Sequence, residues 1–354
     1  MRRRLLILLS MLVTMVTGCD FRPMTETGNM NYVRIYVDED IKNITTGFYN
    51  ENFYHPAYHR PEIMRVALFD PDTGEMVSER YLRGQGDDER GHYYYGYLLA
   101  DAGRYNMIAY NFGTESTVVG SEYDYFAMTG YTNEVSAAIK SKLKSRSGNG
   151  SKVETKADEY ISFDADHLFV ARAENLELKY HKNIDTLRNT NGEAWFRATS
   201  VVKSYYLQIG VTGAQYLSSS SVLLTGMGRK VRLSDANFTD GGESTLYFDM
   251  QTGNYTNYGA TKSCIYGTFG TFGRLPDANN QLTVSVEMVT TYGTRLEETI
   301  PVAKEFEKKN AIEHQWIILD YTIVIPEPPT PTESGGGMTP TVGEYTDVNS
   351  DIAI

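Results

Sequence analysis

The 354-residue chain carries only two cysteines, Cys19 and Cys264, too few for a disulfide framework. It has no surplus of basic charge. Its 33 Lys and Arg stand against 45 Asp and Glu, a net charge of −12. That excludes a nucleic-acid partner, because nothing is left to displace counterions from phosphates. No apolar run reaches the roughly 18 residues that a membrane-spanning helix needs. There is no G-x-S-x-G, no H-E-x-x-H, no P-loop and no dinucleotide fingerprint, so no enzyme and no cofactor is expected. Helical periodicity is nearly absent.

What is present is enough to fold. Apolar residues make up 41% of the chain and charged residues 22%, which supports a buried core and excludes global disorder. The length suits two domains. Tyrosine is abundant, 27 against 14 Phe.

The N-terminus reads as an address. Arg2, Arg3 and Arg4 precede a mostly apolar stretch from Leu5 to Val16. As a helix that stretch spans about 18 Å, against a hydrocarbon core of about 30 Å, so it is a signal-peptide core and not a stable span. It ends in Val16-Thr17-Gly18-Cys19, which resembles the lipobox of bacterial lipoproteins. That resemblance implies a diacylglyceryl group on the Cys19 thiol, cleavage before Cys19 and acylation of the new amine. Two or more acyl chains hold stably where one does not, so the mature chain is expected to be fixed to a membrane at Cys19. Loss of the three arginines takes the net charge from −12 to −15.

The rest of the chain reads as strands. Val33, Ile35 and Val37 alternate with Arg34, Tyr36 and Asp38. Glu62 to Phe69 is a buried strand, Asp70-Pro71-Asp72-Thr73-Gly74 a turn, and Glu75 to Leu82 its return. Tyr93 to Leu99 and Asn106 to Phe112 follow, with short strands at Leu168–Val170 and Leu176–Leu178. Residues 134–145 fit one short helix, and 145–158 a surface insertion. Strict alternation returns at Tyr205–Val211 and again at Leu282–Met288, and Trp316–Ile325 reads as a long last strand. Many short strands with Gly-rich turns predict an all-β chain of two tandem β-sandwich (Ig-like) domains. The expected plan is a leader at 1–18, a lipidated tether at 19–30, sandwiches at 31–195 and 196–326, and a tail at 327–354. In the tail a Pro-rich spacer and a Gly run precede Thr341–Ile354, where Val342, Val348, Ile352 and Ile354 share one face of a strand.

Few residues invite chemistry. His55 and His59 stand four apart, but in a Pro- and Tyr-rich loop where helix spacing does not apply, so no metal is expected. Asp164, Asp166 and His167 cluster, as do Asp38, Glu39 and Asp40; both read as solvated loop ends lacking the calcium-loop signature. Cys264 reads as a small buried hydrophobe. In His92-Tyr93-Tyr94-Tyr95-Gly96-Tyr97, a strand places Tyr93, Tyr95 and Tyr97 on one side and Tyr94 on the other. The three tyrosines either sit at a sandwich rim with their hydroxyls in water or stack a sugar or a protein partner.

Several segments together resemble the fimbrillin-like lipoproteins, the anchor-type subunits associated with type V pili. They are CDFRP, EIMRVALFDPDTGE, LLADAGRYNMIAYN, SYYLQIGVTGAQYLSSSSVLLTGM, GTFGTFGRLP and DYTIVIPEP, between residues 19 and 326. The resemblance implies two transthyretin-like sandwiches and a lipoprotein at or near the base of a pilus. It also implies pilin-like protein subunits as partners and an outer-membrane, surface-exposed location. In such systems an extended segment of one subunit completes another's sheet. An anchor keeps its own first strand, because the lipid sits at that end, and could still offer its tail, here Val342, Val348, Ile352 and Ile354. The alternative is a tail that folds back as a last edge strand of its own second domain or stays disordered. The competing reading is a surface lipoprotein that captures glycans on Tyr93, Tyr95 and Tyr97.

Overall fold

A computed structural model describes residues 29–38, 60–112, 114–141, 159–181, 183–239, 242–257, 259–275 and 282–329. The leader, Cys19, the pair His55 and His59, the insertion at 145–158 and the tail positions Val342, Val348, Ile352 and Ile354 lie outside them. The fold is all-β, with two sandwiches.

The strands of the first sandwich are β1 (Met30–Val37), β2 (Ile63–Phe69), β3 (Met76–Leu82), β4 (Gly84–Asp88), β5 (Gly91–Leu99), β6 (Gly103–Phe112), β10 (Phe169–Leu178) and β12 (Phe196–Ser200). They form one curled sheet in the order β3-β2-β6-β10-β12-β1-β5-β4. A two-residue strand, β11 (Asp185–Thr186), also pairs with β1. The turn between β2 and β3 is held as its composition predicts. The Asp70 carboxylate accepts the amides of Asp72 and Thr73 at 2.9 and 2.8 Å, and Gly74 takes φ 76°. Val33, Ile35 and Val37 point inward against Met64, Val66, Leu98, Met107 and Phe196. Strand β10 runs where two short strands were expected. A bulge between Ala173 and Leu176, with Asn175 at φ 51°, breaks the alternation in the middle.

The strands of the second sandwich are β13 (Lys203–Thr212), β14 (Leu217–Gly228), β16 (Glu243–Asn257), β17 (Ala260–Thr271), β18 (Thr283–Thr290), β19 (Arg295–Pro301) and β20 (Trp316–Val324). Their order is β19-β18-β14-β16-β17-β13-β20. Strand β16 makes the corner: Glu243 to Met250 pair with β14, and Gln251 to Asn257 pair with β17. The core holds Leu207, Ile209, Val222, Phe248, Phe269, Val284, Val286, Leu319 and Ile323. A short helix, α1 (Lys309–His314), leads into β20, and residues 137–141 are helical within the expected stretch.

The division between the units is not the expected one. Residues 196–200, placed in the second sandwich by sequence, pair in the first sheet as β12. Residues 161–163, placed in the first, form β9 (Ile161–Phe163) and pair in parallel with β16 of the second. Pairing over long sequence separations decides both cases, and alternation cannot report it. A third, three-stranded sheet comprises β7 (Thr117–Gly120), β8 (Thr129–Thr132) and β15 (Lys230–Arg232). Beneath it lies a core shared by both units, with Phe69, Ile108, Met128, Val170, Val202, Leu233 and Phe272. This covers the outer face of β2 and β6, which explains why both are buried on two sides and read as continuous apolar runs. Arg65 of β2 is buried there at 1% exposure, its charge met by Glu79 at 2.7 Å and Glu122 at 2.9 Å. Burial pulls the guanidinium down, but Tyr110 and the carboxylates outweigh it and hold it above its usual range.

Candidate functional site

The outer face of β1, β5 and β4 is built by register. Tyr32 pairs with Tyr97, Arg34 with Tyr95, and Tyr36 with Tyr93. On the next strand Gly84 lies beside Tyr95 and Gly86 beside Tyr93. A Cβ at Gly84 would stand 2.8 Å from the Tyr95 ring, and one at Gly86 2.6 Å from the Tyr93 hydroxyl. The two rings therefore lie over bare backbone. Ring centroids form a chain: Tyr97 to Tyr32 at 5.5 Å, Tyr32 to Tyr95 at 6.0 Å, Tyr95 to Tyr93 at 6.0 Å, Tyr93 to Tyr36 at 5.2 Å and Tyr36 to Trp195 at 5.5 Å.

Cations stitch this layer. The Arg34 guanidinium sits 4.7 Å from the Tyr93 ring centroid and donates to the Tyr32 hydroxyl at 3.0 Å. Arg90 and Arg197 sit 5.3 and 5.7 Å from the Trp195 ring. Tyr36 donates to Asp88 at 2.6 Å. That bond lowers the Asp88 carboxyl below its usual range, while burial, and then Asp88, raise the Tyr36 phenol. Tyr94 points inward to the core, as alternation requires. Tyr95 and Tyr97 remain 38% and 42% exposed, and Tyr93 is half-buried. The expected one-sided placement of Tyr93, Tyr95 and Tyr97 is what the strand provides. Their partners Tyr32, Arg34, Tyr36 and Trp195 are an addition from the structure. The alternation of β1 does place Tyr32, Arg34 and Tyr36 outward, but the pairing with β5 is not readable from it. Chemically, the surface offers flat π faces beside fixed guanidinium groups.

A second place of interest is a cleft of about 860 Å³ between the sandwiches, lined among others by Arg60, Glu62, Phe112, Asp164, His167 and Ser204. It gathers the cluster that reads in sequence as a solvated loop end, and the structure corrects that reading. Asp166 accepts the Ser116 and Thr117 amides at 2.5 and 3.3 Å, and the Asn111 side chain brackets His167 and Phe169. Ser200 donates to the Val202 carbonyl at 2.8 Å, so its oxygen accepts from His167 Nδ1 at 3.3 Å. Nε2 then accepts from Ser204 at 3.1 Å. Burial holds His167 below its usual pKa, so the ring is neutral, and burial raises the Asp164 carboxyl against a long bond from the Gly270 amide. The Ser204–His167 contact has one element of an activated serine. Nδ1 faces the Ser200 hydroxyl, and Asp166 accepts the Ser116 and Thr117 amides. Among the described residues no three His, Cys, Asp or Glu side chains are placed to share a metal ion. Cys264 is buried, and burial pushes its thiol up to about 12, so it is inert as a nucleophile.

The third feature is β1 itself. It is bonded on one side to β5 from Met30 to Tyr36 and on the other to β11 and β12. Both flanks of β1 are thus occupied by strands of the same chain.

Two β-sandwiches exchange short strands across their junction, and β1 is held inside the first sheet. The chain belongs to the family described as "Domain of unknown function (DUF5119)", whose model matches residues 54–249. A Bacteroides ovatus protein described as "Putative fimbrium anchoring subunit Fim4B" is 25% identical over 257 residues, 70% of this chain. The match spans 61% of that relative's length. A crystal structure described as a "putative adhesin" from Bacteroides ovatus superposes with TM-score 0.53 at 18% identity, covering 89% of this chain and 99% of that one. It shares the fold. The fimbrial anchor protein Mfa2 from Porphyromonas gingivalis gives TM-score 0.43 at 14% identity, over 83% of this chain and 90% of that one. That likeness is too loose for comparison strand by strand.

Proposed function

We propose that this chain is a surface subunit of a fimbria, held to the outer membrane through an acylated Cys19 and acting as its anchor or a minor subunit. The observation that carries the reading is the position of β1. A subunit that accepts a donor strand needs an open slot, whereas here β1 is hydrogen-bonded on both sides and continuous with the segment that would bear the lipid. Such a chain ends a fibre instead of extending it downward. Its offering to the next subunit is the tail, with Val342, Val348, Ile352 and Ile354 as the inserted face. Fourteen residues at about 3.3 Å each reach about 46 Å, the length of a sandwich edge. The relative described as a fimbrium anchoring subunit supports this reading. The test replaces Cys19 with Ala and, separately, deletes residues 338–354. The first should release the protein, with its fibres, from the membrane fraction. The second should leave it in the membrane with fibres detached. Membrane retention of the Cys19→Ala protein overturns the anchor.

One observation favours a second reading, a glycan-binding surface lipoprotein of an uptake system. Tyr95 and Tyr97 are exposed beside Tyr32 and Arg34 on one sheet face. Loss of glycan-array binding in a Tyr95→Ala, Tyr97→Ala protein would support it, and absence of binding by the parent chain would remove it.

A further inference from the structure

The first and last strands are wired to each other through two parallel ladders in series. Strand β1 runs parallel to β12, with Ile35, Tyr36 and Val37 opposite Phe196, Arg197 and Ala198. Strand β12 ends at Ser200, and β13 begins at Lys203. The two residues between are clamped. The Val201 amide donates to the Leu168 carbonyl at 2.8 Å, the Ser200 hydroxyl bonds both the amide and the carbonyl of Val202, and Val202 lies in the shared core. Strand β13 then runs parallel to β20, from Tyr206 opposite Trp316 to Thr212 opposite Val324.

When one strand is pulled from its N-terminal end and its neighbour from its C-terminal end, a parallel pair is sheared and an antiparallel pair is unzipped. Tension between the two chain ends pulls β1 from its N-terminal end, while β12 is pulled from its C-terminal end through the joint at Val201 and Val202. The same tension pulls β13 from its N-terminal end and β20 from its C-terminal end. In both ladders the partners are drawn in opposite directions along their own axes. Every hydrogen bond of the ladder then carries load at once, where strands drawn from the same end unzip bond by bond. We propose that the fold is a tension-bearing link in which pulling between the N- and C-terminal ends loads β1–β12 and β13–β20 in shear. Use of this property in a cell rests on the anchoring reading above; the property itself does not.

The two ladders are unequal. Strand β1 is also bonded to β5 across seven residue pairs, whereas among the described residues β20 pairs with β13 alone, also across seven. Rupture therefore starts at β20, in the second sandwich, with β1 still seated.

The test is single-molecule pulling on the chain from residue 19 to 354, with Ser in place of Cys19. One form carries handles at both ends. In the other the second handle is moved to residue 309 through Lys309→Cys, before β20, so that β20 peels from its N-terminal end. Lys309 is 79% exposed, and the buried Cys264 does not compete for coupling. Unfolding under force is governed by the barrier crossed, so the shear geometry should raise the rupture force at least about two-fold over the peeling geometry. The first length released should correspond to the second sandwich. Equal rupture forces in the two geometries, or first release from the first sandwich, overturn the proposal. If Cys19→Ala protein stays in the membrane while the force ratio holds, the anchoring reading fails and this one stands.

Discussion

The two sandwiches treat their terminal strands in opposite ways. The first places β1 in the interior of its sheet, bonded on both sides, and covers its outer face with Tyr93, Trp195 and Arg34. The second places β20 at an edge, bonded on one side, and ends the opposite edge with β19, where Arg295, Glu297, Glu298 and Pro301 discourage further pairing. Removing β20 trims a sheet, whereas removing β1 opens one down its middle. The difference is one of integration: β1 is tied into its sheet on both flanks, and β20, among the described residues, on one.

The sharpest break of this contrast is Ile35→Asp. Ile35 is fully buried in β1, and an unpaired charge there should cost about 4 kcal/mol or more and unfold the first sandwich. Hydrogen exchange should show protection lost in β5 and β12 together. If only β1 loses protection, the strand is less integral than its position says. Ile323→Ala in β20 should cost about 2–4 kcal/mol, with the loss of exchange protection confined to the second sandwich. Gly86→Val should expel the Tyr93 ring, raise tyrosine exposure in fluorescence quenching and cost about 1–2 kcal/mol, while a Cβ at Gly293 in the second unit meets no neighbour but carries a strained φ of 84°. A smaller effect follows pH. His167 is held neutral in the fold, so acidification below about 6.5 protonates the unfolded chain first. The unfolded state then binds more protons, and stability falls as pH falls through that window. Denaturant melts at pH 7.5 and 5.5 should differ in that direction, and a His167→Gln protein should lose the difference. Least of all, deletion of residues 338–354 should leave the melting temperature unchanged; a marked drop would assign the tail to the second sandwich.

Alternation suffices to find β1, β13 and β18, because in each an apolar phase faces a core, while β2 and β20 stand out as apolar runs. Strand β19 escapes it because an edge strand carrying Arg295, Glu297 and Glu298 has no such phase. Strands β7, β8, β9 and β15 are three or four residues each; β9 and β15 owe their existence to partners far along the chain, β16 and β8, and β7 pairs with the nearby β8. The same limit governs the surfaces. That Tyr93, Tyr95 and Tyr97 share a side follows from a period of two, but Trp195 beside Tyr36 follows only from tertiary contact. The cluster of Asp164, Asp166 and His167 is visible in sequence, but Ser116, Ser200 and Ser204, which turn it from a loop end into a junction, are not.

The placement of β12 also bears on how the chain reaches its fold. Ile35 finds Tyr94 within about sixty residues but waits about 160 for Phe196. During synthesis or export β1 can zip to β5 early, leaving its other flank bare until nearly two hundred residues have emerged. Pairings of such range make folding slow, and an uncovered strand flank is a template for a neighbouring chain. A fragment cut at residue 195 keeps β11 against Asn31 and Tyr32 but leaves Ile35–Val37 bare on that flank permanently, so it should self-associate where the chain that includes Phe196–Ser200 does not.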